Sequence, residues 1–191
     1  MALTADRIVV ASLSILDDYG LADLSMRRVA ESLGVKAGAL YWHFPNKQTL
    51  LAAVADEILA SSWGPDDVGA RPWLTDWASD VRARLLAHRD AAELVASTRA
   101  MGLAGIDPAR AARDVLSRLG ASKDEADGVA QAFMHFILGH VMEEQTQSQL
   151  AELGVIESFD GPRAQRHFDW GVRLLTAGVS HGASRPIDRI E

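Results

Sequence analysis

Apolar residues recur at intervals of three and four along nearly the whole chain, and no stretch alternates with period two. Ile8, Val9, Leu13, Ile15 and Leu16 follow this spacing after Thr4 and before Gly20. They predict a first helix capped by Thr4 and running to about Tyr19. Ser25 caps a short second helix through about Leu33. Its Val29 and Leu33 are four apart and share an inward face, and Gly34 breaks it. A third short helix spans roughly Lys36 to Trp42. Pro45 stops it, and Asn46 opens a fourth, about Lys47 to Ser62. Residues 63–70 read as a linker of Gly, Pro and Asp. Beyond it, Pro72 suits the first turn of a helix to about His88. Further helices are expected at Ala91–Met101 and, capped by Asp107, at Pro108–Leu119. Ser122 and Glu125 form a capping box for a long helix to about Gln149. Asp160 and Pro162 open a last helix to about Ser180. The fold expected is all-α, divided at the linker into 1–62 and 63–191.

Composition sharpens this in three ways. A chain of 191 residues that is 48% hydrophobic and 24% charged builds a core and is not disordered. It has no cysteine, which excludes disulfides, thiolate zinc sites and cysteine nucleophiles. No apolar run reaches the ~18 residues of a membrane helix. Asp6 and Arg7 precede the first apolar stretch without a small-residue cleavage site, unlike a signal peptide. A soluble cytoplasmic protein is expected.

Two short helices joined through Gly34 and Val35, with a supporting helix before them, make a helix-turn-helix arrangement. Residues 22–50 carry Arg27, Arg28, Lys36 and Lys47 against Asp23 and Glu31. That local +2 stands within a chain of net charge −7, so the remainder carries −9. A patch of this sign suits phosphate contact, although four basic residues could equally solvate helix surfaces.

The run Leu24 to Lys47, with Leu40-Tyr41-Trp42-His43 followed by Asn46-Lys47, resembles the DNA-binding domain of the TetR family of repressors. The resemblance runs from about Thr4 to Leu59. His88 to Ala92, Ser97 to Arg99, His135 to Gly139 and Glu143 to Gln145 look like the ligand-binding domain of tetracycline repressors. The resemblance implies that Lys36 to Trp42 is a recognition helix in the major groove. Arg27 matches a base-reading position, where a guanidinium can pair with both acceptors of guanine; a phosphate contact is its alternative. Tyr41, His43 and Lys47 match phosphate-contacting positions. Trp42 could brace the helix or touch the sugar-phosphate chain. Ala37, Gly38 and Ala39 offer no side-chain hydrogen bonds; they permit close approach, and an alanine methyl can meet a thymine methyl. Gly38 departs from the usual pattern, so a different operator is expected.

The long and last helices are apolar on several faces, which suggests a four-helix dimer interface as the resemblance implies, with an ordinary monomer core as the alternative. Phe133, Ile137, Gly171, Leu174 and Gly178 are its candidates. Trp63, Trp77, Val81, Val95, Thr98 and Glu143 are candidate effector-pocket residues by the same resemblance, suited to a planar organic molecule. Tetracycline repressors hold a magnesium–drug chelate through a histidine and, by way of water, a glutamate. Glu143 retains the glutamate, Val95 takes the histidine's place, and Trp63 and Trp77 replace two polar contacts. Valine cannot ligate a cation, so no metal or cofactor is expected.

An enzyme reading rests on His135, His140, Glu143, Glu144 and His167 as a metal set, with His140 and Glu144 one turn apart. No HExxH or paired ExxH motif supports it. A ligand-independent DNA-binding protein is another alternative. The expectation is a non-enzymatic homodimeric repressor that binds a palindromic operator in double-stranded DNA and releases it to a small planar effector, with no membrane partner.

Overall fold

A computed structural model describes residues 2–61, 63 and 69–182. Among these residues the regular structure is helical: α1 Ala5–Tyr19, α2 Met26–Ser32, α3 Ala37–Leu40, α4 Lys47–Ile58, α5 Ala70–Leu86, α6 Ala91–Ala100, α7 Pro108–Arg118, α8 Lys123–Glu152 and α9 Gly161–Gly182. Every expected helix is present. α4 stops at Ile58, short of Ser62, which lies outside the described residues, as do residues 64–68 of the expected linker.

Local chemistry sets the helix starts. The Thr4 hydroxyl accepts from Arg7 N–H at 3.3 Å and the Ser25 hydroxyl from Arg28 N–H at 3.3 Å. Asn46 with Thr49, and Ser122 with Glu125, form reciprocal capping boxes. Each cap of this kind contributes roughly 1 kcal/mol. Hydrogen bonds from Ser122 also hold the Glu125 carboxyl below the usual carboxylate range.

The helices pack into two compact units, Met1–Ala60 with Ala83–Ile106, and Ser61–Arg82 with Asp107–Glu191. The cut expected at 62/63 falls beside the first crossing, but α6 and its flanks return to the first unit. Periodicity shows that a segment is a helix, not which neighbours it will choose. In the first unit α1 packs on α2 and α4, α2 on α3, and α4 on α6. Ile8, Leu16, Val29, Leu40 and Val54 are fully buried there. Two carboxylates fasten α6 at its ends. Asp90, in a left-handed conformation (φ 54°), accepts from Leu21 N–H at 2.8 Å. Asp56 on α4 accepts from Gly105 N–H at 3.0 Å and Ile106 N–H at 2.8 Å.

In the second unit α8 packs against α7 and α9 around Phe133, Met134, Ile137 and Phe168. A buried ion pair crosses this core. Arg82 Nε and Nη2 donate to the two carboxylate oxygens of Glu144 at 2.8 and 2.6 Å, and Nη1 donates to Gln165. The guanidinium also lies 5.1 Å from the Phe168 ring centroid. No helix of the described residues is long and apolar enough to cross a membrane.

Candidate nucleic-acid interface and effector site

The turn between α2 and α3 depends on Gly34, whose φ of +66° favours glycine. Its N–H donates to Glu31 C=O, and Val35 N–H reaches back to Ala30 C=O at 3.0 Å. This double closure fixes the angle at which α3 leaves α2. α3 is shorter than expected. Lys36 is its extended N-cap residue, and Tyr41 to His43 form a turn closed by His43 and Phe44 N–H groups on Leu40 C=O, both at 2.9 Å. Leu40 and Phe44 are buried and pin the segment from beneath. Everything between them points the other way: Tyr41 is 50% exposed, Trp42 91%, and His43 is exposed.

The Trp42 ring is thus almost wholly in water in the single chain. Ala37 and Ala39 are half-buried. Gly38 is exposed and has nothing within 4 Å of where a Cβ would stand. Lys36 is exposed, and Lys47 is half-buried in the first turn of α4. The two arginines of α2 differ. Arg28 is engaged within the chain, 2.8 Å from Asp23 and with its guanidinium 4.5 Å over the Tyr19 ring. Arg27 is 86% exposed in its side chain, and its Nε donates to Glu31 Oε1 at 2.7 Å. That carboxylate raises the Arg27 guanidinium's pKa still further. Sequence spacing allows the pair but does not reveal it, because an exposed glutamate one turn from an arginine has many orientations.

The effector candidates divide between the units. Trp77 and Val81 are buried in the second; Trp77 stacks on Trp73 at 6.1 Å and meets Phe133 edge-on at 5.9 Å. The Trp63 indole N–H donates to Asp80 at 2.7 Å, whereas the buried Trp77 N–H has no partner among the described residues. Val95 and Thr98 are fully buried in the first unit, and the Thr98 hydroxyl is within 3.1 Å of both Leu94 and Val95 C=O. Glu143 is exposed and borders a cleft of about 520 Å³ between α8 and the start of α9, with His140, Asp160, Arg163 and His167.

The interface candidates require correction. Phe133 and Ile137 are fully enclosed within the second unit, so their side chains offer no surface. Gly171 faces inward as well: a Cβ there would overlap the Phe136 ring of the same chain. Leu174, 75% exposed, and Gly178, with open space around it, lie on the outer side of α9 beside Trp170, 58% exposed. Ala132, His135, Gly139 and Met142 make a matching exposed row on α8. Of the suggested metal pair, both Glu144 oxygens accept from Arg82, and His140 Nε2 lies 3.2 Å from Glu144 Oε1 and 3.0 Å from Ala164 C=O.

Two family models match the chain: bacterial regulatory proteins of the tetR family over residues 8–54, and the tetracyclin repressor-like C-terminal domain over 67–157. The tetracycline repressor protein class A of transposon 1721 from Escherichia coli is 32% identical, over 93% of this chain and 91% of its own. A crystal structure of BioQ with its double-stranded DNA operator superposes with a TM-score of 0.79 at 34% identity, covering 94% of this chain and 99% of that one. A TetR variant from Acinetobacter baumannii AYE in complex with minocycline superposes at 0.81 with 29% identity, covering 96% and 100%.

Proposed function

The chain belongs to the tetR family of bacterial regulatory proteins, and from that premise we propose that it is a homodimeric transcriptional repressor of a palindromic operator, released by a small planar organic effector. The observation that carries the reading is the outward face of the α2–α3 region. Arg27, Lys36, Tyr41, Trp42 and His43 are exposed together while Leu40 and Phe44 anchor the segment from below. In this reading Arg27 reads a guanine, Ala37, Gly38 and Ala39 let α3 approach the groove floor, and Tyr41, His43 and Lys47 hold phosphates.

Dimerisation is assigned to the outer sides of α8 and α9. Trp170 and Leu174 are large apolar residues in water in a single chain, and the small residues facing out on α8 admit a close helix neighbour. The partner's recognition helix then meets the next major groove, one turn or ~34 Å away.

The effector is assigned to the second unit, where Trp63 with the buried Trp77 and Val81 are the aromatic and apolar candidates and Glu143 the carboxylate. Val95 and Thr98, the other two candidates, belong to the first unit and have no exposed side-chain surface. The test is operator retention in a mobility-shift assay with a panel of planar aromatic compounds. Micromolar release by at least one compound, lost in Trp77→Ala, is expected. Retention against the whole panel would leave a ligand-independent DNA-binding protein.

A further inference from the structure

Arg27 does not stand alone on the DNA-facing side of α2. Its Nε donates to Glu31 Oε1 at 2.7 Å, one helical turn on, and both side chains are mostly exposed, 86% and 61%. Arg28, next in sequence, is held by Asp23 and Tyr19, so Glu31 is the acid committed to Arg27. The geometry of that bond matters. A guanidinium presents five donors in a rigid plane, and a bidentate pair with guanine can use its far end, the two Nη groups. A carboxylate on Nε occupies the side of the plane and leaves that end free. It also fixes the plane's direction before DNA arrives, so less rotamer entropy is lost on pairing.

The charge of Glu31 has a second effect. On a surface facing phosphates, a carboxylate repels the backbone of any sequence alike, and by engaging Arg27 it keeps that cation from settling on a phosphate. Both effects favour base reading over sequence-independent binding.

We propose that Glu31 is the positioning residue for Arg27: it aims the guanidinium at a base edge and suppresses its use as a phosphate contact, and so helps set operator specificity. This rests on the base-reading role assigned to Arg27 above.

The test uses full-length protein and three duplexes: one selected by the wild type from random DNA, the same duplex with individual pairs changed, and an unrelated duplex of equal length. Affinities are measured by fluorescence anisotropy across a salt series. Arg27→Ala identifies its base pair by abolishing the preference there, a loss of about fivefold to about 150-fold. Glu31→Ala is expected to cut the preference at that same pair about tenfold. It should also tighten binding to the unrelated duplex about two- to fivefold and steepen its salt slope by about one contact. Glu31→Gln should fall between. In an Arg27→Ala background, Glu31→Ala should leave base preference where it was.

The loss of preference at the Arg27 pair separates positioning from a mere charge effect, which would tighten specific and unrelated DNA alike and leave the preference unchanged. If Arg27→Ala removes the preference and Glu31→Ala does not, the positioning role is wrong. If Arg27→Ala itself leaves every preference intact, the base-reading role on which it rests is wrong.

Discussion

Removing one half of the Arg82–Glu144 pair should be among the most damaging single changes in the chain. Arg82 is 9% exposed and Glu144 5%, and the pair is bidentate at 2.8 and 2.6 Å. Glu144→Ala leaves a guanidinium inside the second unit with Gln165 and the Phe168 ring beside it. An uncompensated buried charge of this kind costs roughly 3–5 kcal/mol. For a chain of this size 1 kcal/mol shifts Tm by about 2–4 °C, so a fall of about 6–20 °C is expected. The double variant Arg82→Met with Glu144→Leu removes both charges and keeps their volume, and should lie within about 2 kcal/mol of wild type. Thermal and urea unfolding at one fixed protein concentration measure both, since dimer formation makes Tm concentration-dependent. A loss under about 1 kcal/mol for Glu144→Ala, typical of an exposed pair, would refute the reasoning. So would a double variant as unstable as the single.

Gly34→Val should lose DNA binding with only a modest loss of stability, about 1–2 kcal/mol for a left-handed β-branched residue, because a Cβ there meets nothing and the backbone alone is strained; calorimetry beside a DNA titration checks it. Gly171→Leu should lower unfolding stability by roughly 1–3 kcal/mol through the Phe136 ring. Leu174→Glu should instead leave the folded chain intact and shift a dimer toward monomer in sedimentation at micromolar concentration. Tetracycline with magnesium should not release the operator, since Val95 supplies no cation ligand; release that a chelator reverses would overturn that assignment.

The helices were legible because their signals are local. Thr4, Ser25, Asn46, Asp107 and Ser122 each cap the helix their residue type announced. The α2–α3 turn was legible for the same reason, through Gly34 and Val35. What escaped was the choice of face. α8 carries apolar residues almost all round, so periodicity could not say that Phe133 and Ile137 turn inward while Gly139 and Met142 face out. Gly171 and Gly178 fall near one another on a helical wheel, yet only the first meets a ring in its own chain. Arg82 and Glu144 are 62 residues apart, and no spacing rule joins them. Neither did one reveal that α6 belongs with the first unit, since the carboxylates of Asp56 and Asp90 find backbone N–H groups far along the chain.

Selection of bound duplexes from random DNA by the wild-type protein, followed by sequencing, tests operator binding most directly. The expected product is an inverted repeat with half-site centres one helical turn, about 10 bp, or a small multiple of it apart, and a G·C pair in each half that Arg27→Ala no longer enriches. Enrichment of no common sequence, or of single unrepeated half-sites, would contradict a dimeric, sequence-specific repressor.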